Sequence, residues 1–321
     1  MQTQYDVVVV GGGAAGLSGA KALARARRSV LVVDDGTPRN APAGHVHNYL
    51  GREGTPPAEL LAAGRAEVTG YGGTVVAGRV TSAERADDDG FAVSLDDGRT
   101  VRARRLLVTT GLVDELPDVP GIAQLWGTDV LHCPYCHGWE VRDQPIGVLG
   151  TGAHAVFQTL MWRQWSADVT LFVHTAPAPS DDELEQLAAR GIVVVPGRVA
   201  AVEATDGRLS GLRLADGTVV PRTALVVAPR FTARSEVLRS LGLEAVEQEM
   251  LGAVIGSAVP ADPMGATAVP GVWVAGNVTN LQAQVISAAA AGLNAAAAIN
   301  GDLIAEDTRR AVAVSRTAVS A

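Results

Sequence analysis

Two cysteines, Cys133 and Cys136, stand in the segment LHCPYCHGWE (131–140) and are the only cysteines of the chain. Two intervening residues let the sulfurs close a small disulfide ring within the allowed Cα separation. Such motifs lower the thiol pKa, and the thiolate is the species that attacks a disulfide. His132 and His137 flank the pair, and Glu140 is close in sequence. A histidine beside a thiol either takes its proton or, once charged, stabilises the thiolate. Either ring could equally be an ordinary hydrogen-bonded residue; His137 is the stronger catalytic candidate. A secreted disulfide scaffold would carry more cysteines, spread along the chain, and a zinc site would need further ligands. Redox exchange is therefore the chemistry expected of the pair, and no metal is expected.

A second chemistry is written in glycine. Gly11, Gly13 and Gly16 have the Gly-x-Gly-x-x-Gly spacing, after the β-branched run YDVVVV (5–10) and before an Ala/Leu-rich stretch reaching Arg28. In that context the first glycine makes a tight turn, the second lets backbone approach a pyrophosphate, and the third lets helix pack on strand. Asp34, closing the next strand SVLVV (29–33), stands where an acid binds a ribose hydroxyl. Gly150, Gly152 and Ala155 repeat the pattern after the strand IGVL (146–149). Here the following strand, DVTLFV (168–173), runs into His174-Thr175-APAPS, with neither an acid for a ribose nor an arginine cluster for a 2′-phosphate; the next arginine along is Arg190. Selective NADPH binding is not expected from this second loop. The segment HVHNYLGREG (45–54) offers two more histidines, His45 and His47, as candidates without assigned roles.

These loops require two βαβ units of about 30 residues each. The 321 residues are enough for two domains, and 47% hydrophobic with 19% charged residues describes a globular chain. The expected fold is α/β, with two nested Rossmann-like domains of the three-layer FAD/NAD(P)-binding kind. The outer one combines residues 1–115 and 245–321; the inserted one, 116–244, carries the cysteines. Short strands are expected over 74–110, with turns at Asp89-Gly90 and Asp97-Gly98, and again over 192–228. The block VPGVWVAGNV (269–278) reads as a strand before an Ala-rich buried helix, and the polar tail from Glu306 is expected to fray. The net charge of −8 argues against a general nucleic-acid binder. No signal peptide or membrane-spanning segment is visible, so a cytoplasmic protein is expected.

With the motifs in this order, the chain resembles the low-molecular-weight bacterial thioredoxin reductases over nearly its whole length. The shared features are the GGGAAG loop (11–16), the VTTG strand end (108–111), the Cys-x-x-Cys, the GTGAHA loop (150–155) and the terminal VPGVWVAGNV. The resemblance implies a homodimer, FAD in the outer domain and a redox disulfide stacked near the isoalloxazine. It carries the flavin contacts to Gly11, Gly13, Ala14, Ala15, Gly16, Asp34, Thr110, Gly111, Gly276, Asn277, Gln284 and Val285. Asn277 would bind the ribitol, and Gln284 lies at the start of a helix aimed at the ring. Three departures matter: His137 replaces the acid after the second cysteine, the basic cluster after the second domain's second strand is absent, and Asn277 replaces the usual Asp. In these the chain is more similar to the thioredoxin-reductase-like dithiol oxidases that close disulfides in sulfur-containing natural products such as gliotoxin, holomycin and romidepsin. That likeness implies a small-molecule dithiol as substrate, Cys133, Cys136 and His137 as the catalytic set, and molecular oxygen as acceptor with hydrogen peroxide as product. The alternative is an NAD(P)H-dependent disulfide reductase acting on thioredoxin or a similar protein.

Overall fold

The computed structural model describes residues 2–86 and 90–319. The run Gln4–Val10 is buried along nearly its whole length, as a strand covered on both faces must be. It pairs in parallel with Val30–Asp34 on one side and with Thr100–Val108 on the other. Thr74–Ala77 extends the sheet beyond Val30–Asp34, and Val272–Val274 runs beside residues 106–108. Five parallel strands result. The strand Thr100–Val108 belongs to two layers, because residues 100–103 also pair antiparallel with Phe91–Leu95, which pairs with Val80–Arg85. The sheet thus has the antiparallel strands on one face and helices Ala14–Arg25 and Val285–Val319 on the other, each face with its own apolar core. The expected turn at Asp89-Gly90 falls partly outside the described residues.

The inserted unit repeats this plan. Val193–Val195, Val169–Phe172, Ile146–Leu149, Ala224–Val226 and Val130–Leu131 form a five-stranded parallel sheet in that spatial order. A three-stranded antiparallel sheet covers one face, and again there are two cores. The α/β architecture of two nested Rossmann-like units is therefore present. The chain enters the insert along Leu112–Glu115 and returns along Arg230–Ala233, and these two strands pair antiparallel with each other. Arg234 N–H donates to the Gly111 carbonyl at 3.0 Å, and the Thr110 hydroxyl donates to the Arg234 carbonyl at 2.6 Å. Val237, Leu238 and Leu243, which sequence reading grouped with the insert, pack in the core of the outer sheet.

The polar tail does not fray at Glu306: the last helix runs unbroken from Val285 to Val319. Its acids are bound by arginines from elsewhere in the fold. Arg105 pairs with Asp302 and Glu306, and Arg104 with Asp6, Glu306 and Asp307. The same helix crosses Ala14–Arg25 at backbone contact. A Cβ on Gly292 would collide with the Ala15 carbonyl oxygen, and one on Gly19 would lie 2.9 Å from the Gly292 carbonyl oxygen.

Candidate active site

The first glycine loop is shaped by its own backbone. Gly11 N–H donates to the Val33 carbonyl at 2.8 Å, and Gly12 N–H donates to Asp34 Oδ1 at 3.0 Å. A Cβ on Gly16 would run into the Gly11 carbonyl oxygen, so this glycine is demanded by the packing of helix on strand. Gly13 is different. Its backbone is extended, with φ −77°, and a Cβ there would meet nothing within 4 Å. Neither the backbone nor the protein's packing requires glycine at 13; a ligand lying against the helix start does.

That open space belongs to one cavity of about 1230 Å³, above the roughly 300–1,000 Å³ of ordinary small-ligand pockets. It has room for a dinucleotide and a substrate together. Its walls include Gly11, Gly13, Ala14, Ala15 and Asp34 at one end, and Cys133, Cys136 and His137 at the other. Thr110, Gly111, Gly276, Asn277, Gln284 and Val285 also line it; Gly16 does not, lying beneath the loop. Gln284 accepts Ala288 N–H at 2.8 Å, so the last helix starts at the cavity wall. The Thr110 hydroxyl is taken by Arg234, as above. The Asn277 amide group donates to the carbonyls of Asn280 and Ala283, both at 3.0 Å.

Cys133 and Cys136 are joined as a disulfide with Cα atoms 5.2 Å apart. Pro134 begins the single helical turn between them, at a position where its missing N–H costs nothing. Both ring nitrogens of His137 are buried with no protein partner. Burial pushes His137 below the usual histidine range, Glu140 opposes this, and His47 adds to it. At neutral pH it is an uncharged ring able to accept a proton. His132 is enclosed instead, stacked on Trp126 with ring centroids 5.6 Å apart and edge-on to Phe231 at 5.8 Å. Burial, with Arg39 nearby, lowers its pKa to about 4, so it supplies no cation to the sulfurs at neutral pH.

The 45–54 segment reaches the cysteines from the outer unit. His45, Val46 and His47 line the cavity, and Asn48 Nδ2 donates to the Tyr135 carbonyl at 2.5 Å. Arg39 was not singled out from the sequence. It grips Asp114 with two hydrogen bonds of 2.7 and 2.6 Å and lies over the Phe231 ring, tying the first unit to both crossing strands. Nothing in its local sequence marks it, since its partners are distant along the chain. Phe157, Gln158 and Met161, from the helix after the second glycine loop, form a further wall of the cavity.

The second loop reproduces the first at one bond and departs from it at others. Gly150 N–H donates to the Phe172 carbonyl at 2.8 Å, as Gly11 does to Val33, and a Cβ on Gly152 meets nothing within 4 Å. The segment after the second strand folds back, however: Thr175 and Ala176 N–H both donate to the Gly150 carbonyl at 3.1 Å. His174 Nδ1 accepts Val199 N–H at 3.1 Å, and burial first and Arg198 second lower its pKa. Arg198 is thus brought near the strand end, an arrival that the sequence, with Arg190 as the next arginine along, did not reveal.

Comparison with known proteins agrees with this geometry. Residues 5–292 match the family described as Pyridine nucleotide-disulphide oxidoreductase. Thioredoxin reductase tcpT of Claviceps purpurea is 30% identical over 312 residues, 93% of this chain and 95% of its own. Thioredoxin reductase sirT of Leptosphaeria maculans is 29% identical over 319 residues, 94% and 95% respectively. The crystal structure of HlmI superimposes with a TM-score of 0.91 at 46% identity, covering 99% of this chain and 98% of its own. An open cradle at Gly13 and a disulfide in the wall of the same cavity suit a flavin dinucleotide. The chain belongs to the pyridine nucleotide-disulphide oxidoreductase family, as a thioredoxin-reductase-like thiol–disulfide oxidoreductase whose cofactor is FAD.

Proposed function

We propose that this protein oxidises a small-molecule dithiol to its disulfide through Cys133 and Cys136, with molecular oxygen as the final acceptor. The observation that carries the reading is the contrast between the two glycine loops. The first opens into the cavity that holds the disulfide. The second meets that cavity only through His154; Gly150 and Gly152 do not line it, and the strand end beside them is folded back on Gly150 and holds His174, its pKa lowered by burial, where a basic cluster would stand. The likeness to HlmI, sirT and tcpT over nearly the whole chain supports the thiol–disulfide chemistry that both readings share.

In this mechanism a substrate thiol gives its proton to His137 and attacks the Cys133 sulfur. The Cys133–Cys136 bond breaks and Cys136 leaves as thiolate. The second substrate thiol attacks the substrate sulfur bonded to Cys133, closes the substrate disulfide and releases Cys133, which takes up that thiol's proton. Bound FAD supplies the two-electron acceptor that lets the enzyme disulfide re-form, with oxygen going to hydrogen peroxide. Gly11, Gly13, Ala14 and Ala15 would hold the pyrophosphate, Asp34 a ribose hydroxyl, and Thr110, Gly111, Gly276, Asn277, Gln284 and Val285 the flavin end. Phe157 and Met161 give the substrate an apolar wall. The protein is placed in the cytoplasm by this reading; among the described residues no helix is long and apolar enough to cross a membrane. A homodimer would cover Ile286, Leu293 and Ile304, exposed apolar residues spaced to share one face of the last helix.

The second reading, an NAD(P)H-dependent disulfide reductase, is favoured by one observation, the guanidinium of Arg198 near His174. Anaerobic mixing of the flavoprotein with dithiothreitol or with NADPH separates the two. The oxidase reading expects bleaching of the flavin by the dithiol, none within the same time by NADPH, and peroxide once air is admitted. Fast bleaching by NADPH would replace it with the reductase.

A further inference from the structure

In the proposed mechanism the attack on Cys133 leaves the substrate's proton on His137, whose ring nitrogens are both buried. The charged and titratable groups near that ring are Glu140 on its own segment, His47 on the opposed loop and, on the far side of the cysteines, His132, which burial keeps uncharged near neutrality. His47 stands between two carboxylates: Nε2 lies 3.4 Å from Glu140 Oε1, and Nδ1 lies 2.5 Å from Glu53 Oε1. The Glu140 side chain is 40% exposed, that of His47 20% and that of Glu53 66%, so the chain of groups ends in water. Glu53 is itself fixed, because its other oxygen accepts Asn48 N–H at 2.9 Å. The loop is closed by pairing of Val46 with Thr55 and is pinned to the cysteine turn through Asn48 and Tyr135.

We infer that Glu140, His47 and Glu53 form a proton exit, carrying the substrate's proton from buried His137 to solvent. The inference rests on the proposed role of His137 as the base. The step balances within the groups named. The substrate S–H bond breaks as its sulfur bonds to Cys133, the electron pair of the Cys133–Cys136 bond leaves with Cys136, and the proton passes from His137 along the chain of groups. An imidazole serves such a path because it accepts at one nitrogen and releases from the other. The three act through His137, as positioning and proton-transfer residues. A surface ion pair kept for stability would be worth little, and it would not need to face His137.

The test uses the FAD-loaded protein and its His47→Gln and Glu140→Gln variants, mixed anaerobically with dithiothreitol over a range of pH. Bleaching should slow about tenfold or more near neutrality, a share of the roughly 10²–10⁴-fold worth of a general base. The loss should shrink as pH rises and the dithiol ionises unaided, and added imidazole should restore His47→Gln. A readout independent of the flavin is the pH dependence of iodoacetamide alkylation of the prereduced cysteines. Its midpoint should move away from the parent's in Glu140→Gln, where a negative charge beside His137 is lost, and an unmoved midpoint would count against the link. Should His47→Gln not fold, Glu53→Gln on the exposed side carries the same test. Profiles that superimpose on the parent's, or a pH-independent loss that imidazole does not relieve, would overturn the proton exit alone. A parent flavin that dithiothreitol cannot bleach would overturn the dithiol-oxidase reading along with it.

Discussion

Replacing Gly13 by valine separates the needs of the fold from those of the cofactor. The backbone at 13 is extended and a Cβ would enter open space, so the apoprotein should change by no more than the cost of a helix-cap substitution, about 1 kcal/mol. The first intrahelical bond runs from Leu17 N–H to the Gly13 carbonyl, which leaves the Ala14 and Ala15 N–H groups free to meet a phosphate. A valine side chain would hold the pyrophosphate off these donors. Losing two hydrogen bonds to a charged group, at about 1.5–3 kcal/mol each, costs about 3–6 kcal/mol, or roughly 10²–10⁴ in affinity. The assay is FAD content and FAD affinity by flavin fluorescence, alongside thermal unfolding of the apoprotein. The expected Gly13→Val protein is folded, colourless and not reconstituted at FAD concentrations that saturate the parent. A yellow Gly13→Val protein, or one that fails to fold even without FAD, would refute the reasoning. Gly16→Ala is the contrast: its Cβ strikes the Gly11 carbonyl, so it should lose stability with or without cofactor.

Other outcomes follow from the same geometry. Cys133→Ser and Cys136→Ser should each bind FAD and abolish turnover of a dithiol; normal turnover in either would defeat the exchange mechanism. Asp129 accepts three hydrogen bonds from the Arg208 guanidinium, at 2.8, 2.9 and 3.2 Å, and one from Leu209 N–H at 2.9 Å. Burial would raise its pKa, but these donors hold it below 3.8. Its contribution is therefore present above that value and is lost as pH falls through the lower folded value. Asp129→Asn should cost about 1.5–3 kcal/mol near neutrality and much less in acid, as read from urea unfolding at both. Light scattering should find a dimer, and Leu293→Glu should yield monomer if the exposed face of the last helix is the interface; a monomeric parent would remove that proposal.

The parts legible in the sequence were those whose causes are local. The β-branched runs 5–10 and 146–149, each ending in glycine, announced buried parallel strands and the turns after them. The cysteine spacing announced the disulfide. What escaped depends on partners far along the chain. Leu112–Glu115 pairs with Arg230–Ala233 across the whole insert, and neither is a distinctive strand alone. Glu306 and Asp307 read as a fraying tail because Arg104 and Arg105, which bind them, lie some two hundred residues away. The histidines are visible in the sequence as candidates, with His137 ahead of His132, but their surroundings are not. His132 is sealed between aromatic rings, His137 is buried without a partner, and His47 is held between two carboxylates.

The glycine crossing near Ala15 has a mechanical corollary. Where two main chains touch with no side chain between them, no rotamer can yield, and a displacement of one helix is passed to the other undiminished. Gln284 and Val285 lie about two turns, roughly 10 Å, from Gly292 along the same rod. The junction therefore ties the helix bearing Ala14 and Ala15 to the one that starts at Gln284 and Val285, all four lining the same cavity, and its small residues fix the spacing of the two rods there.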